Sequence, residues 1–227
     1  PVTVIPNCLD TEIYRPLTET EIESRLEVAI QHNPLLHAVK RAVGEKAIKP
    51  LLLYGAVAAA TDKIKGFKYL LSALQTLDQQ GFEASLIVFG ASESDLPMQF
   101  EHIGVHFIGY VSDTDLLVTL YNLADVMVVP SLTEVFGQTA SEALACATPV
   151  VCFKTTGIQE VVDHQVCGYV AKMQDSADLA QGIRWCLENN RDGALSLAAR
   201  KKVMENYTID RVGEKYVEVY SSLEAKG

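Results

Sequence analysis

Short, nearly unbroken apolar runs alternate along this chain with longer stretches in which apolar residues recur every three or four positions. The runs Pro50-Leu51-Leu52-Leu53-Tyr54, Ala84 to Phe89, Val105 to Ile108, Val126 to Val129, Val150 to Phe153 and Tyr169-Val170 read as strands buried on both faces. Helical spacing predicts helices at about 67–79, 113–122, 137–147, 176–189, 194–206 and 209–223. Ahead of these lies a helical region, Thr18 to Arg41, opened by the capping-box pattern Thr18-x-x-Glu21 and interrupted near Asn33-Pro34. Val2 to Ile5 reads as one further short strand. Strands alternating with helices imply an α/β domain: a Rossmann-like open parallel sheet with helices on both faces. We expect one domain over 1–227, with a linker and helical lead-in at 1–48, a core at 49–206 and a closing helix at 207–227.

Asp125 to Phe153 organises the rest. The strand 126–129 is closed by Pro130, a polar loop runs from Ser131 to Phe136, and a helix opens at Gly137-Gln138-Thr139. Thr148-Pro149 ends that helix, because the residue before proline is pushed out of helical geometry. Strand, loop, helix and strand form a parallel crossover that presents its loop to a ligand. The unsatisfied N–H groups and positive dipole end of the helix suit an anion. Two carboxylates bracket the opening, Glu134 in the loop and Glu142 one turn inside the helix, whose side chain leans back toward the N-terminus. An anion cradled by amides with acceptors on either side suits a phosphorylated ligand bearing hydroxyls. Spacing alone fits equally well a solvated helix glutamate and an acidic loop residue.

Composition narrows the partners. A formal charge of −10 argues against nucleic acid and against contact with an anionic membrane surface. The longest apolar run, Leu51 to Ala60, falls short of the roughly 20 residues a membrane span needs. Five cysteines with no CxxC spacing fit reduced thiols in a cytoplasmic protein. The chain opens on Pro1, so we expect a piece of a longer protein. Asp113-Thr114-Asp115 spells DxD but follows Ser112 at a helix start, where acidic residues cap; no metal site is expected there. His32 and His37 are off the spacing for a shared metal. Arg200-Lys201-Lys202 reads as a solvated helix face, and Trp185 as core. No GxxxxGK[ST], GxGxxG or GxSxG occurs.

The run E-x7-E within PSLTEVFGQTASEALACATPVV closely resembles the signature of the family 4 (group 1) retaining glycosyltransferases, which have the GT-B fold. The likeness runs in order along nearly the whole chain. Pro6 to Asp10 with Tyr14-Arg15-Pro16 resembles the entry to that family's C-terminal domain. Lys65-Gly66-Phe67, Phe107-Ile108-Gly109, Gly157 to Glu160, Gly168-Tyr169-Val170 and Tyr207-Thr208 resemble its later landmarks.

The resemblance implies the donor-binding, C-terminal half of a GT-B enzyme, with the N-terminal acceptor domain lying outside this sequence. The expected ligand is a UDP-, GDP- or ADP-sugar, and the expected reaction is retaining transfer without metal or other cofactor. Lys65 and the amides of Gly137, Gln138 and Thr139 would face the diphosphate, although an exposed lysine beside a helix start is also ordinary. Glu134 would bind sugar hydroxyls and Glu142 the ribose, while Ile108, Gly109 and Tyr110 would border the base. Gly55 and Phe136 complete the donor set. Departures from the family pattern are equally visible. Ala56 stands where an arginine is usual, leaving Lys63 as a substitute without the bidentate fork, and Cys8, Val135, Ala147 and Thr156 replace glycines. Val135 and Thr156 are expected to narrow the pocket. Two other classes stay open: a non-catalytic nucleotide-sugar-binding module, and an epimerase of the same fold. A cytoplasmic location is expected, with peripheral attachment of the full-length enzyme at the inner membrane face left open.

Overall fold

The computed structural model describes residues 2–46, 48–55, 62–91 and 99–224. The lead-in carries α1 (Glu19–His32) and α2 (Leu36–Gly44). The core follows as β1 (Leu51–Gly55), α3 (Phe67–Gln79), β2 (Ala84–Phe89), β3 (Ile103–Phe107), α4 (Thr114–Leu123), β4 (Val126–Val129), α5 (Gln138–Ala145), β5 (Val150–Phe153), α6 (Ile158–Val161) and β6 (Gly168–Ala171). Then come α7 (Ser176–Asn189), α8 (Ala194–Asn206) and α9 (Ile209–Glu224).

The six strands form one sheet in the order β3-β2-β1-β4-β5-β6, and every pairing is parallel. Alternation along the strands divides the core into two layers. Leu51, Leu53, Ile87, Met127, Val129 and Val150 pack toward α4, α5 and α8. Leu52, Tyr54, Leu86, Val88, Val126 and Val128 pack toward α3 and α7. Trp185 lies against this second layer, as expected of a core residue. Strand order reverses between β1 and β4, so the chain leaves the ends of these strands in opposite directions and opens a crevice there.

Capping follows the sequence. Thr18 and Glu21 form the reciprocal box at α1. Asp113 caps α4 by accepting from the Asp115 N–H at 3.0 Å, while Asp115 pairs with Arg25 at 2.9 Å.

Three expectations need correction. Val2 to Ile5 is not a strand: Val2 and Val4 are exposed, and extended backbone without a sheet edge gains no ladder. The segment's first pairing is the single bridge Leu9↔Thr208. β3 begins at Ile103 instead of Val105, because its register against Ala84 and Ser85 sets the start. Finally, Arg200-Lys201-Lys202 is not a uniformly solvated face. Arg200 is spent on the carbonyls of Tyr14, Ala145 and Thr11 at 2.7, 2.8 and 3.0 Å, and Lys202 pairs with Asp163 at 2.8 Å. The Ala-rich loop Ala56 to Ala60, including the position where an arginine is usual, lies outside the described residues.

Candidate active site

A cleft of about 80 Å³ sits at the β1/β4 crevice. Tyr54 and Gly55 from the end of β1 form one wall, and Val129, Pro130 and Ser131 from the end of β4 form another. Lys65, Glu134, Gln138 and Thr139 close it.

Lys65 arrives on a 3₁₀ turn, Lys63–Lys65, that helical spacing does not signal. Asp62 caps the turn by accepting from the Ile64 N–H at 2.9 Å. Gly66 follows with φ +71°, and a Cβ there would lie 1.9 Å from the Pro130 carbonyl oxygen. Only glycine therefore lets this turn rest on the β4–α5 loop. The Leu132 N–H donates to the Ile64 carbonyl at 2.8 Å and fastens the two segments together. The result is a direct ion pair, with Lys65 Nζ 3.0 Å from Glu134 Oε1 and both side chains partly buried.

Glu134 is fixed from its other side as well. Its carbonyl accepts from the Gly157 N–H at 3.0 Å and from the Thr156 hydroxyl at 3.1 Å. Gly157 packs so close beneath the loop that a Cβ would meet the Val135 carbonyl at 2.0 Å. The short helix α6, which the sequence reading missed, starts there. Val135 and Thr156 do not narrow the cleft: neither lines it, and the Val135 side chain is exposed.

α5 opens at Gln138, with Gly137 as its cap at φ +92° and Ile158 too close for a Cβ. The N–H groups of Gln138 and Thr139 find no acceptor among the described residues. They lie on the cleft wall at the positive end of the helix. At the other end Ala147 adopts φ +64°, donating to the Leu144 carbonyl while Thr148 donates to that of Ala143. This is a Schellman closure, with alanine in the position that favours glycine.

Glu142 stands behind the cleft wall. It is buried, and its carboxylate accepts from the Tyr121 hydroxyl at 2.8 Å and the Gln138 amide at 3.3 Å. Burial pushes its pKa up, and these hydrogen bonds pull the other way. Burial likewise raises the Tyr14 phenol to about 12 and the Tyr121 phenol well above its ordinary range, so Tyr121 meets the carboxylate as a neutral donor. Sequence spacing placed Glu142 beside the anion site. The structure connects it to that site through Gln138.

The remaining predicted residues are spread more widely. Ile108 is buried and its carbonyl accepts from Asn33 at 3.2 Å; Gly109 has φ +73°, and Tyr110 is exposed. These three follow β3, two strands away from β1. Phe136 packs edge-to-face on Tyr207 and supports the loop from within. Lys63 is exposed and does not line the cleft. Among the described residues no cluster of His, Cys, Asp and Glu is arranged to hold a metal. None of their helices is long and apolar enough to cross a membrane.

The family model described as "Glycosyl transferases group 1" matches residues 38–207. The chain belongs to the group 1 glycosyltransferases. Within this family it is 31% identical over 192 residues to an uncharacterized glycosyltransferase of Methanocaldococcus jannaschii, covering 80% of this chain and 47% of that protein. It is 33% identical over 202 residues to the D-inositol 3-phosphate glycosyltransferase of Geodermatophilus obscurus, covering 87% and 42%. In fold, this glycosyltransferase chain is similar to sucrose-phosphate synthase from Thermosynechococcus elongatus, with a TM-score of 0.72 and 24% identity, covering 99% of this chain and 53% of that one. Anabaena HepE, solved with UDP-glucose, superposes with a TM-score of 0.70 and 22% identity, covering 97% and 57%. The architecture is thus the Rossmann-like half of a GT-B fold, and the chain spans about half the length of the relatives it matches.

Proposed function

We propose that this chain is the donor-binding half of a retaining glycosyltransferase that uses a nucleoside diphosphate sugar and needs no metal. The observation that carries this reading is the convergence at one strand-order switch of a lysine, a carboxylate and two unpaired helix-start amides. Breaking the bond between the anomeric carbon and the diphosphate leaves negative charge on the phosphate oxygens. Donors already fixed around that position lower the barrier without reorganising as charge grows. Lys65 and the Gln138 and Thr139 amides supply this potential. Glu134, held by Lys65 and by Thr156-Gly157, presents its acceptor oxygens to the sugar hydroxyls. Glu142 accepts the ribose hydroxyls, taking over from its contact with Gln138. The anomeric carbon forms its new bond to an acceptor hydroxyl on the face the diphosphate leaves, and the hydroxyl proton passes to the departing diphosphate. The two carboxylates position the donor and form no glycosyl-enzyme bond, unlike those of a retaining glycosidase.

Titles of solved relatives record UDP and UDP-glucose in Anabaena HepE, which makes UDP-sugars the first donors to test. A thermal-shift screen of UDP-, GDP- and ADP-sugars is the direct experiment, since a ligand of the native state raises its apparent stability. One donor class should raise the melting temperature, and Lys65→Ala should abolish that rise. No shift with any of them overturns the reading. The acceptor is held by the partner domain of the cleft, so this chain alone should bind donor and transfer sugar poorly; robust turnover by the chain would refute that. A second reading, a binding module without turnover, is favoured by the lack of an arginine after Gly55. Turnover by the longer protein separates the two. The five free thiols, four of them buried, support a reducing, cytoplasmic setting.

A further inference from the structure

Glu142 receives a neutral donor on each of its carboxylate oxygens, and the two donors differ. The Tyr121 hydroxyl, on α4, donates to Oε2 at 2.8 Å, while the Gln138 amide, one turn earlier on α5, reaches Oε1 at 3.3 Å. Gln138 lines the cleft, and Tyr121 is wholly buried. One oxygen is therefore anchored from the interior, and the other faces the side chain that borders the ligand's space. The 3.3 Å contact lies just beyond the usual N–H···O range, so it is the easier one to exchange for a ligand hydroxyl.

Tyr121 is itself held in a fixed frame. Its carbonyl is among the last four of α4, which find no partner inside the helix. The buried Thr148 hydroxyl donates to that carbonyl at 2.6 Å. The Thr148 N–H donates to the Ala143 carbonyl on α5 at 2.9 Å, so one residue joins the ends of the two helices. The Tyr121 ring belongs to the core layer that also holds Ala140, Ala143 and Leu144 of α5. Folding alone gives no reason for this pair. An apolar pair of the same shape would stabilise the helix contact about as well, and a buried carboxylate costs free energy to desolvate.

We propose that Tyr121 is a positioning residue of the nucleotide site: its hydroxyl fixes Glu142 Oε2 in the interior, so that Oε1 is the oxygen offered to the ribose when Gln138 gives way. This deepens the donor-binding reading above and rests on it. Tyr121 touches no ligand and acts through the carboxylate. The terminal torsion of a glutamate is broad, so without the hydroxyl the carboxylate samples orientations in which Oε1 no longer faces the ribose.

The test compares, by calorimetry on the full chain, a nucleoside diphosphate with its 2′,3′-dideoxy analogue, using whichever of UDP, GDP and ADP binds most tightly. The parent should prefer the ribose form by at least about tenfold, as hydrogen bonds to a charged acceptor allow. Glu142→Ala should abolish that preference. Tyr121→Phe, which keeps the packed ring, should cut the preference about fivefold and leave affinity for the dideoxy analogue unchanged. A purely structural role would weaken both ligands alike. In the Glu142→Ala background, adding Tyr121→Phe should change neither affinity. If the parent binds no nucleotide, shows no preference, or keeps it in Glu142→Ala, the ribose reading of Glu142 fails and takes the proposal with it. If those controls behave as expected, the proposal alone is wrong when Tyr121→Phe retains the full preference, weakens both ligands equally, or still acts in the Glu142→Ala background. Should Tyr121→Phe not fold, Thr148→Val removes the hydroxyl that holds the Tyr121 carbonyl and should lower the preference in the same sense. An unchanged preference then overturns the proposal.

Discussion

The two carboxylates of the site are held by opposite strategies. Glu134 sits on a loop, paired with a cation, at a partly open cleft. Glu142 sits on a helix, buried, and among the described residues is held by neutral donors alone. A partly exposed ion pair contributes at most about 1 kcal/mol to folding and can be opened by a ligand at similar cost. A buried acceptor held by neutral donors is different, because removing either side strands the other without water. The first region can therefore rearrange around a phosphate. The second has a fixed geometry and can serve as a template.

The most damaging way to test this contrast is to strike the joint beneath the ion-paired region. Gly66→Ala places a methyl inside the Pro130 carbonyl at a left-handed φ, so it should destabilise by about 3 kcal/mol or more, measured by urea unfolding. A smaller effect should separate the two regions cleanly. Glu142→Ala should cost about 1–3 kcal/mol of stability, since the Tyr121 hydroxyl loses its buried partner. Lys65→Ala should cost less than about 1 kcal/mol of stability while weakening nucleotide binding at least as much. Equal stability losses for the two variants would remove the distinction. The smallest effect lies at the far end of α5. Ala147→Gly relieves a positive φ and should stabilise by about 1 kcal/mol, read as a higher unfolding midpoint with unchanged nucleotide affinity.

Much of the scaffold was legible because it depends on local patterns. The apolar runs at Ala84–Phe89, Val126–Val129 and Val150–Phe153 are the observed strands, and Phe67–Gln79 and Ser176–Asn189 are the observed helices. Periodicity and caps are properties of neighbours in sequence, so they survive without tertiary information. The loop-and-helix opening at Gly137 was visible for the same reason. What escaped was held together over long distances. Arg200 looked like a solvent-facing charge because its carbonyl partners include Tyr14, 186 positions away. Tyr121, which bonds Glu142, gave no signal, since a tyrosine in a helix reads as packing until its hydroxyl has an address. The 3₁₀ turn at Lys63–Lys65 was missed because one short turn carries no period. The strain at Ala147 was anticipated only as a lost glycine, and its φ locates it at a helix end.

The contact between Gly66 and Pro130 has a consequence for engineering and for descent. Since the lysine turn and the glutamate loop touch through bare backbone, neither can be swapped for a relative's version alone. A chimera that imports a new sugar-facing loop must bring its matching Lys-Gly turn, and the two segments should be inherited as one cassette although 63 residues, 67–129, lie between Gly66 and Pro130 in the chain.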